Sequence, residues 1–309
     1  ALEVFCIGAH ILNPNALILT NDVSRSVILG AVLREERYRS SIVRPDGVID
    51  DIAALGILNG QGIHLVVING DRYVRLLGKN ADEYNISLSV HAPYYISLSS
   101  TDEQKRKNSV EYILQTLRAA SFMNADRIVV HSGSCGSITR REALALASDT
   151  LKAALKAADD NGFGDIHICP EAMGKVKQLG NVDEVIKLCS LDERLIPTMD
   201  FGHINAMTLG GLKEKADFEA VFDAIENKLG KERAQSFHIH YSRIEYTNAG
   251  EKKHRTYSET EFEPEFEPIA QIMAERGAAP RIICESAGTQ TKDAEELKRL
   301  YLSYIKKKV

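Results

Sequence analysis

The sequence predicts an α/β protein folded as a single (β/α)8 TIM barrel, with its chemistry at the C-terminal face of the strands. Three observations point there. Short, continuously apolar runs recur along the chain, such as Arg127-Ile-Val-Val-His131 and Arg281-Ile-Ile-Cys-Glu285, as strands covered on both faces require. Amphipathic helical stretches separate these runs. Histidine or carboxylate residues close one run after another, and a parallel barrel gathers such strand ends on one rim.

Taken in order, strands are predicted at residues 2–8, 64–69, 86–91, 127–131, 165–171, 195–200, 236–240 and 281–285. The stretch 9–62 fits this alternation least and is read as two or three helical pieces, making 1–62 an atypical start to a one-domain chain of residues 1–309. A helix is expected over 103–123, where Val110, Ile113, Leu114, Leu117 and Ala120 form one apolar stripe. Residues 141–159 repeat the pattern with Leu144, Leu151 and Leu155. Asn181-Val-Asp-Glu184 opens a further helix with a capping residue and an acidic first turn. The tail 293–308 reads as a helix closed by Lys306-Lys-Lys308, cations where the helix dipole favours them.

Composition narrows the function classes. The chain is 44% hydrophobic and 26% charged, too apolar to remain disordered. Its 38 Lys and Arg against 43 Asp and Glu give a net charge of -5. A nucleic-acid partner would therefore need a local basic patch. Five cysteines (Cys6, Cys135, Cys169, Cys189, Cys284) without C-x-x-C spacing read as reduced thiols of a cytoplasmic protein. No apolar run reaches ~18 residues, so no membrane span or signal peptide is expected. The absence of G-x-G-x-x-G and P-loop motifs argues against a dinucleotide or nucleoside-triphosphate site.

The groups that carry chemistry are the strand ends. His91, His131, Glu171, Asp200 and Glu285 close predicted strands, His203 follows Asp200 by three residues, and His238 lies in the seventh strand. Imidazole and carboxylate donors suit zinc, manganese or iron(II). So many carboxylates in one pocket would repel one another unless more than one ion neutralised them. Any one of these histidines reads as a hydrogen-bonded structural residue; the set as a whole does not. His10, His64 and His167 are assigned to packing or surface. His240 shares a strand face with His238 and either supports the site or packs beside it.

In chain order, His91-Ala-Pro-Tyr-Tyr-Ile-Ser-Leu98, Val130-His-Ser-Gly133, Pro170-Glu-Ala-Met-Gly174, Asp200-Phe-Gly-His203, His238-Ile-His240 and Cys284-Glu-Ser286 resemble the strand-end motifs of the endonuclease IV family, within the xylose-isomerase-like TIM barrels. The resemblance spans residues 64–305. It implies a DNA-repair hydrolase, an apurinic/apyrimidinic endonuclease that cleaves DNA 5′ to an abasic site with a trinuclear zinc cluster. It implies that His91 and His131 bind a first zinc and that Glu171 bridges to a second, completed by Asp200, His238 and Glu285. His203 and His254 would hold the third.

The family's remaining third-site ligand is an aspartate two residues before the last histidine. Here that position is Lys252, in Glu251-Lys-Lys-His254. The expectation is two to three ions with the third weak or missing. Lys252 would then contact the phosphate, joining Glu171 and Glu285 as a catalytic group. Glu251 and Glu245 are the substitutes for the lost ligand.

The same resemblance implies that Tyr94 and Tyr95 stack on DNA, the alternative being aromatic packing at the barrel rim. Arg72 and Arg75 after the second strand and Lys253 and Arg255 after the seventh are the basic candidates to meet phosphates, the alternative being a solvated face. The partner implied is abasic double-stranded DNA, with the protein a monomer. The rival is a sugar or sugar-phosphate isomerase or epimerase of the same superfamily. It would need one divalent ion on Glu171, Asp200, His238 and Glu285. The net negative charge favours that rival, whereas the extra ligands His91 and His131 favour the nuclease. A metal-free scaffold is disfavoured by the intact donor set.

Overall fold

The computed structural model describes residues 3–6, 54–59, 62–67, 71–83, 86–286 and 288–308. The chain enters through β1 (Glu3–Cys6), β2 (Ala54–Asn59) and β3 (Gly62–Val67), followed by α1 (Asp71–Glu83). Then comes the alternation that the apolar runs predict. β4 (Ser89–His91), α2 (Glu103–Phe122), β5 (Arg127–His131), α3 (Arg140–Asp160), β6 (His167–Glu171), α4 (Val182–Cys189) and β7 (Thr198–Asp200) follow one another. After β7 come three helices, α5 (Phe201–Met207), α6 (Lys215–Leu229) and α7 (Lys231–Ser236), and then β8 (His238–Tyr241). A hairpin of β9 (Arg243–Thr247) and β10 (Gly250–Arg255) precedes α8 (Glu267–Arg276), β11 (Arg281–Cys284) and α9 (Gln290–Lys308).

Strands β4, β5, β6, β7, β8 and β11 lie side by side and all run parallel. This curled six-stranded parallel sheet is the α/β core of the barrel. On its other flank the chain departs from a regular alternation. β1 pairs antiparallel with both β4 and β3, and β3 pairs antiparallel with β2. Residues 54–59, read from sequence as part of a helical stretch, are thus a strand; most of 9–62 lies outside the described residues.

Local signals explain the helix starts. Asn181 accepts from the Glu184 amide at 2.9 Å while Glu184 reaches back to the Asn181 amide at 3.0 Å, a reciprocal cap. Thr139 and Glu142 do the same for α3, and the Asp102 side chain caps α2. The apolar stripe of α2 buries Ile113 and Leu117 completely, and Leu151 of α3 and Phe222 of α6 join one continuous core.

At the N-terminal foot of the sheet, Arg281 reaches the Asp126 carboxylate at 2.5 Å and the Leu88 carbonyl at 3.0 Å. Arg127 bonds Asp126 and the Ser236 carbonyl. These nearly buried guanidiniums tie β4, β5, β8 and β11 together at the end away from the strand C-termini.

Candidate metal centre

Inward-facing residues alternate along each strand, so the last such residue of every parallel strand meets the others at one mouth. Glu171, almost fully buried, is the hub. His91 Nε2 lies 3.1 Å from its Oε2, His131 Nε2 3.4 Å from the same oxygen, and His240 Nδ1 2.9 Å from Oε1. His240 also lies 3.1 Å from Glu285 Oε1. On the other side, Asp200 caps α5 by accepting from the His203 amide at 2.7 Å. That cap brings His203 Nδ1 to 3.3 Å from Asp200 Oδ2.

Two groups of potential ligands result, His91, Glu171, His240 and Glu285, and Asp200, His203, His254 and Glu285. Within each, one donor atom per residue lies within 4.8 Å of the rest. Glu285 belongs to both.

The donor set fits divalent ions in its detail. His91 Nδ1 donates to the Ala92 carbonyl at 2.7 Å and His203 Nδ1 to the Ala172 carbonyl at 3.0 Å. His254 Nδ1 pairs with Ser242 Oγ at 2.8 Å. Each bond fixes a ring and leaves Nε2 for the pocket, the arrangement that metal-binding histidines show. Asp200 is fully buried, yet its Oδ2 makes no hydrogen bond, which suits an oxygen aimed at a cation.

The electrostatics agree. Burial would raise both Glu171 and Glu285, but His240 beside them holds both carboxyls below the usual range. Burial pushes Asp200 up to about 7. His203 would be lowered by burial, but Asp200 and Glu171 raise it to about 9. His131, desolvated, is lowered to about 4 and stands neutral.

The hairpin that follows β8 supplies the remaining candidate ligands, and a β-bulge decides which. Glu251 pairs with Tyr246 and Lys253 with Glu245, so Lys252 is the extra residue between them. The insertion brings Glu251 and His254, three apart, to one side. Glu251 Oε2 then lies 3.5 Å from His203 Nε2, and its Oε1 3.8 Å from His254 Nε2. Gly174 admits this approach: a Cβ there would come within 2.6 Å of Glu251 Cβ and 2.7 Å of His203 Cδ2.

The sequence model of the family described as Xylose isomerase-like TIM barrel matches residues 59–306. The chain belongs to that family. An uncharacterised protein of Methanocaldococcus jannaschii is 28% identical over 247 residues, covering 78% of this chain and 89% of that protein. A probable endonuclease 4 of Mycoplasma genitalium is 29% identical over 173 residues, 54% of this chain and 55% of the relative. The match thus spans about half the length of that relative. Among solved structures, a D-tagatose 3-epimerase-like protein superposes with a TM-score of 0.59 at 22% identity, covering 80% of this chain and 87% of the other. Endonuclease IV from Thermus thermophilus gives 0.58 at 15%, covering 96% and 97%. These two share the fold.

In this xylose isomerase-like barrel, His91, His131, Glu171, Asp200, His203 and Glu285 converge from the strand ends and the residues after them, and His254, expected from the resemblance alone, joins them from the hairpin. His238 does not join them. It is two residues earlier on the same face as His240, one level deeper, fully buried with both ring nitrogens unbonded. Parity along a strand cannot separate the two; only depth does, and His240 occupies the mouth.

The groups expected to touch DNA also separate. Tyr94 and Tyr95 are exposed, 66% and 43%, just beyond His91, and Lys253 is exposed on the hairpin. Lys252 instead pairs with Glu245, facing away from the pocket, and Arg255 is tied to Glu245 and Glu259. Arg75 lies on α1, its guanidinium 4.1 Å over the Phe122 ring. The Arg72 side chain falls outside the described residues. From the sequence Glu251 is only a substitute ligand and His240 is left open; the polar Thr247-Asn-Ala-Gly250 turn of a hairpin is a signal for Glu251, whereas no linear signal singles out His240.

No helix among the described residues is long and apolar enough to cross a membrane.

Proposed function

We propose that this protein is a zinc-dependent phosphodiesterase that cleaves double-stranded DNA at abasic sites, working in cytoplasmic DNA repair. The observation that carries the reading is the number of ligands. Two four-residue groups share Glu285, and His131 and Glu251 add donors beside them, more than one ion can use. A one-ion sugar isomerase or epimerase would employ Glu171, Asp200, His240 and Glu285 and leave the remaining histidines without a task.

Bound zinc ions would lower the pKa of a water and neutralise the phosphate under attack. The protein's own groups prepare for this. Glu171 and Glu285, held ionised by His240, supply the negative charge that assembles cations, and Glu171 stands between the two halves of the pocket. The anchored rings of His91, His203 and His254 present Nε2 without further reorganisation. Tyr94 and Tyr95 offer stacking faces, and an abasic sugar is extruded cheaply because no base pairs or stacks.

The test is incision of a labelled duplex carrying one abasic site by protein purified without chelator, against the intact duplex. Cutting on the 5′ side of the lesion, lost on Glu171→Gln, is the expected result. No incision, together with interconversion of ketoses, would replace this reading by the epimerase.

A further inference from the structure

We propose that Leu209 is a substrate-contacting residue of the rim, an apolar wedge that enters the base stack beside an abasic nucleotide; the proposal rests on the nuclease reading above. It begins with a conflict in the backbone. Helix α5 closes with the Leu209 amide donating to the Ala206 carbonyl at 3.2 Å and the Gly210 amide to the Asn205 carbonyl at 2.8 Å. This paired ending needs a left-handed residue at its turn, a place glycine usually takes. Here Gly210 and Gly211 stand next in line, yet the turn position is Leu209, at φ 54°. The other non-glycine residue at positive φ among the described residues is Asn124, a type that tolerates this region. Leucine has no such excuse.

Burial gives nothing back. The apolar contact that accompanies this helix ending is made by the following residue, not by the turn residue, and Leu209 is 48% exposed. One residue thus breaks both the backbone preference and the burial preference. Such double departures mark functional positions.

Its place in the fold says which function. Of the five large hydrophobic residues exposed among the described residues, Tyr94, Tyr95, Val176 and Leu209 all lie in segments that leave strand C-termini; the fifth, Leu302, is on α9. Leu209 comes six residues after His203. A Cβ on the adjoining Gly210 would run into the Tyr246 hydroxyl of β9, and β9 is paired with the strand that carries Glu251 and His254. Lys175, Lys177 and Lys253 are exposed along the same rim, and none forms an ion pair among the described residues. Apolar groups interleaved with unpaired cations match stacked bases and their phosphates. Apolar side chains enter between base steps, and the step beside a missing base is the least costly to open.

The test compares Leu209→Gly, Leu209→Met and the wild type on a duplex carrying one tetrahydrofuran abasic analogue, with thermal unfolding measured on the same samples. Glycine removes the backbone conflict, so Leu209→Gly should melt about 2 °C higher. The same variant should show a KM raised about tenfold with kcat little changed, as loss of a substrate contact requires. Leu209→Met should return KM to the wild-type value. A Leu209→Gly protein that is more stable and keeps the wild-type KM overturns the wedge. One that melts lower also overturns it, because Leu209 is then a packing residue. A wild type that fails to cut the duplex at all overturns the nuclease reading and the wedge with it; failure confined to the variant comparison removes the wedge alone.

Discussion

Glu251 places a carboxylate oxygen 3.5 Å from Nε2 of His203, while the residue after it, Lys252, turns outward onto Glu245. The bulge therefore puts a carboxylate where the plain spacing from His254 puts a cation.

Elemental analysis separates the two residues. Glu251→Gln should lower the zinc content of the purified protein by about one equivalent, because His203 and His254 alone leave an ion short of donors. Lys252→Ala should leave the content unchanged. An unchanged count in Glu251→Gln, or a rise in Lys252→Ala, would show that the hairpin presents the other residue.

Protons must leave as metal enters. His203, raised to about 9 by Asp200 and Glu171 against the opposing effect of burial, carries a proton at pH 7, and a ligand imidazole must give it up. Zinc affinity should therefore climb as pH rises toward 9. At pH 7 the binding heat should vary with the ionisation enthalpy of the buffer, reporting net proton release. A heat that is the same in every buffer would contradict this. His131, lowered to about 4 by burial, adds nothing to that release.

The foot of the sheet provides a stability test away from the metal centre. Burial would raise the Asp126 carboxyl, but Arg281 and Arg127 hold it at about 2. A depressed carboxyl contributes stability that is complete above its unfolded value near ~4 and is lost as pH falls through about 2. Asp126→Asn should cost about 1–3 kcal/mol in urea unfolding at pH 7. That lies between an exposed and a buried ion pair, because the Asp126 side chain is 48% exposed while Arg281 is 5% exposed. The gap between wild type and variant should shrink between pH 4 and pH 2. A gap that is constant with pH would assign the loss to packing.

Much of the core and of the pocket was legible because each depended on a local pattern. The runs Arg127-Ile-Val-Val-His131 and Arg281-Ile-Ile-Cys284 became parallel strands, and their terminal ligands met because parallel strands end together. What stayed hidden depended on partners that a linear pattern does not reveal. His238 and His240 share a strand face, so only their depth in the barrel chooses between them. The bulge at Lys252 is set by pairing with Tyr246 and Glu245 across the hairpin, and its strands are too polar to stand out as apolar runs. Residues 54–59 read as helix from sequence, although Asn59-Gly60 before a second apolar run is a hairpin signal. Arg75 and Arg255 looked like free cations because Phe122, Glu245 and Glu259, which engage them, are distant in sequence or reached only through the fold.

Glu285 stands in both donor groups, and a carboxylate with two obligations links the occupancies of the two halves of the pocket. A first ion held there would fix its side chain, sparing a second that loss of freedom, while drawing off part of its negative charge. Whichever effect is larger, reciprocity requires that the second ion act on the first by the same factor. Two ions bound this way could not be titrated as independent compartments. A chelator that stripped an ion from one half would alter the grip of the other.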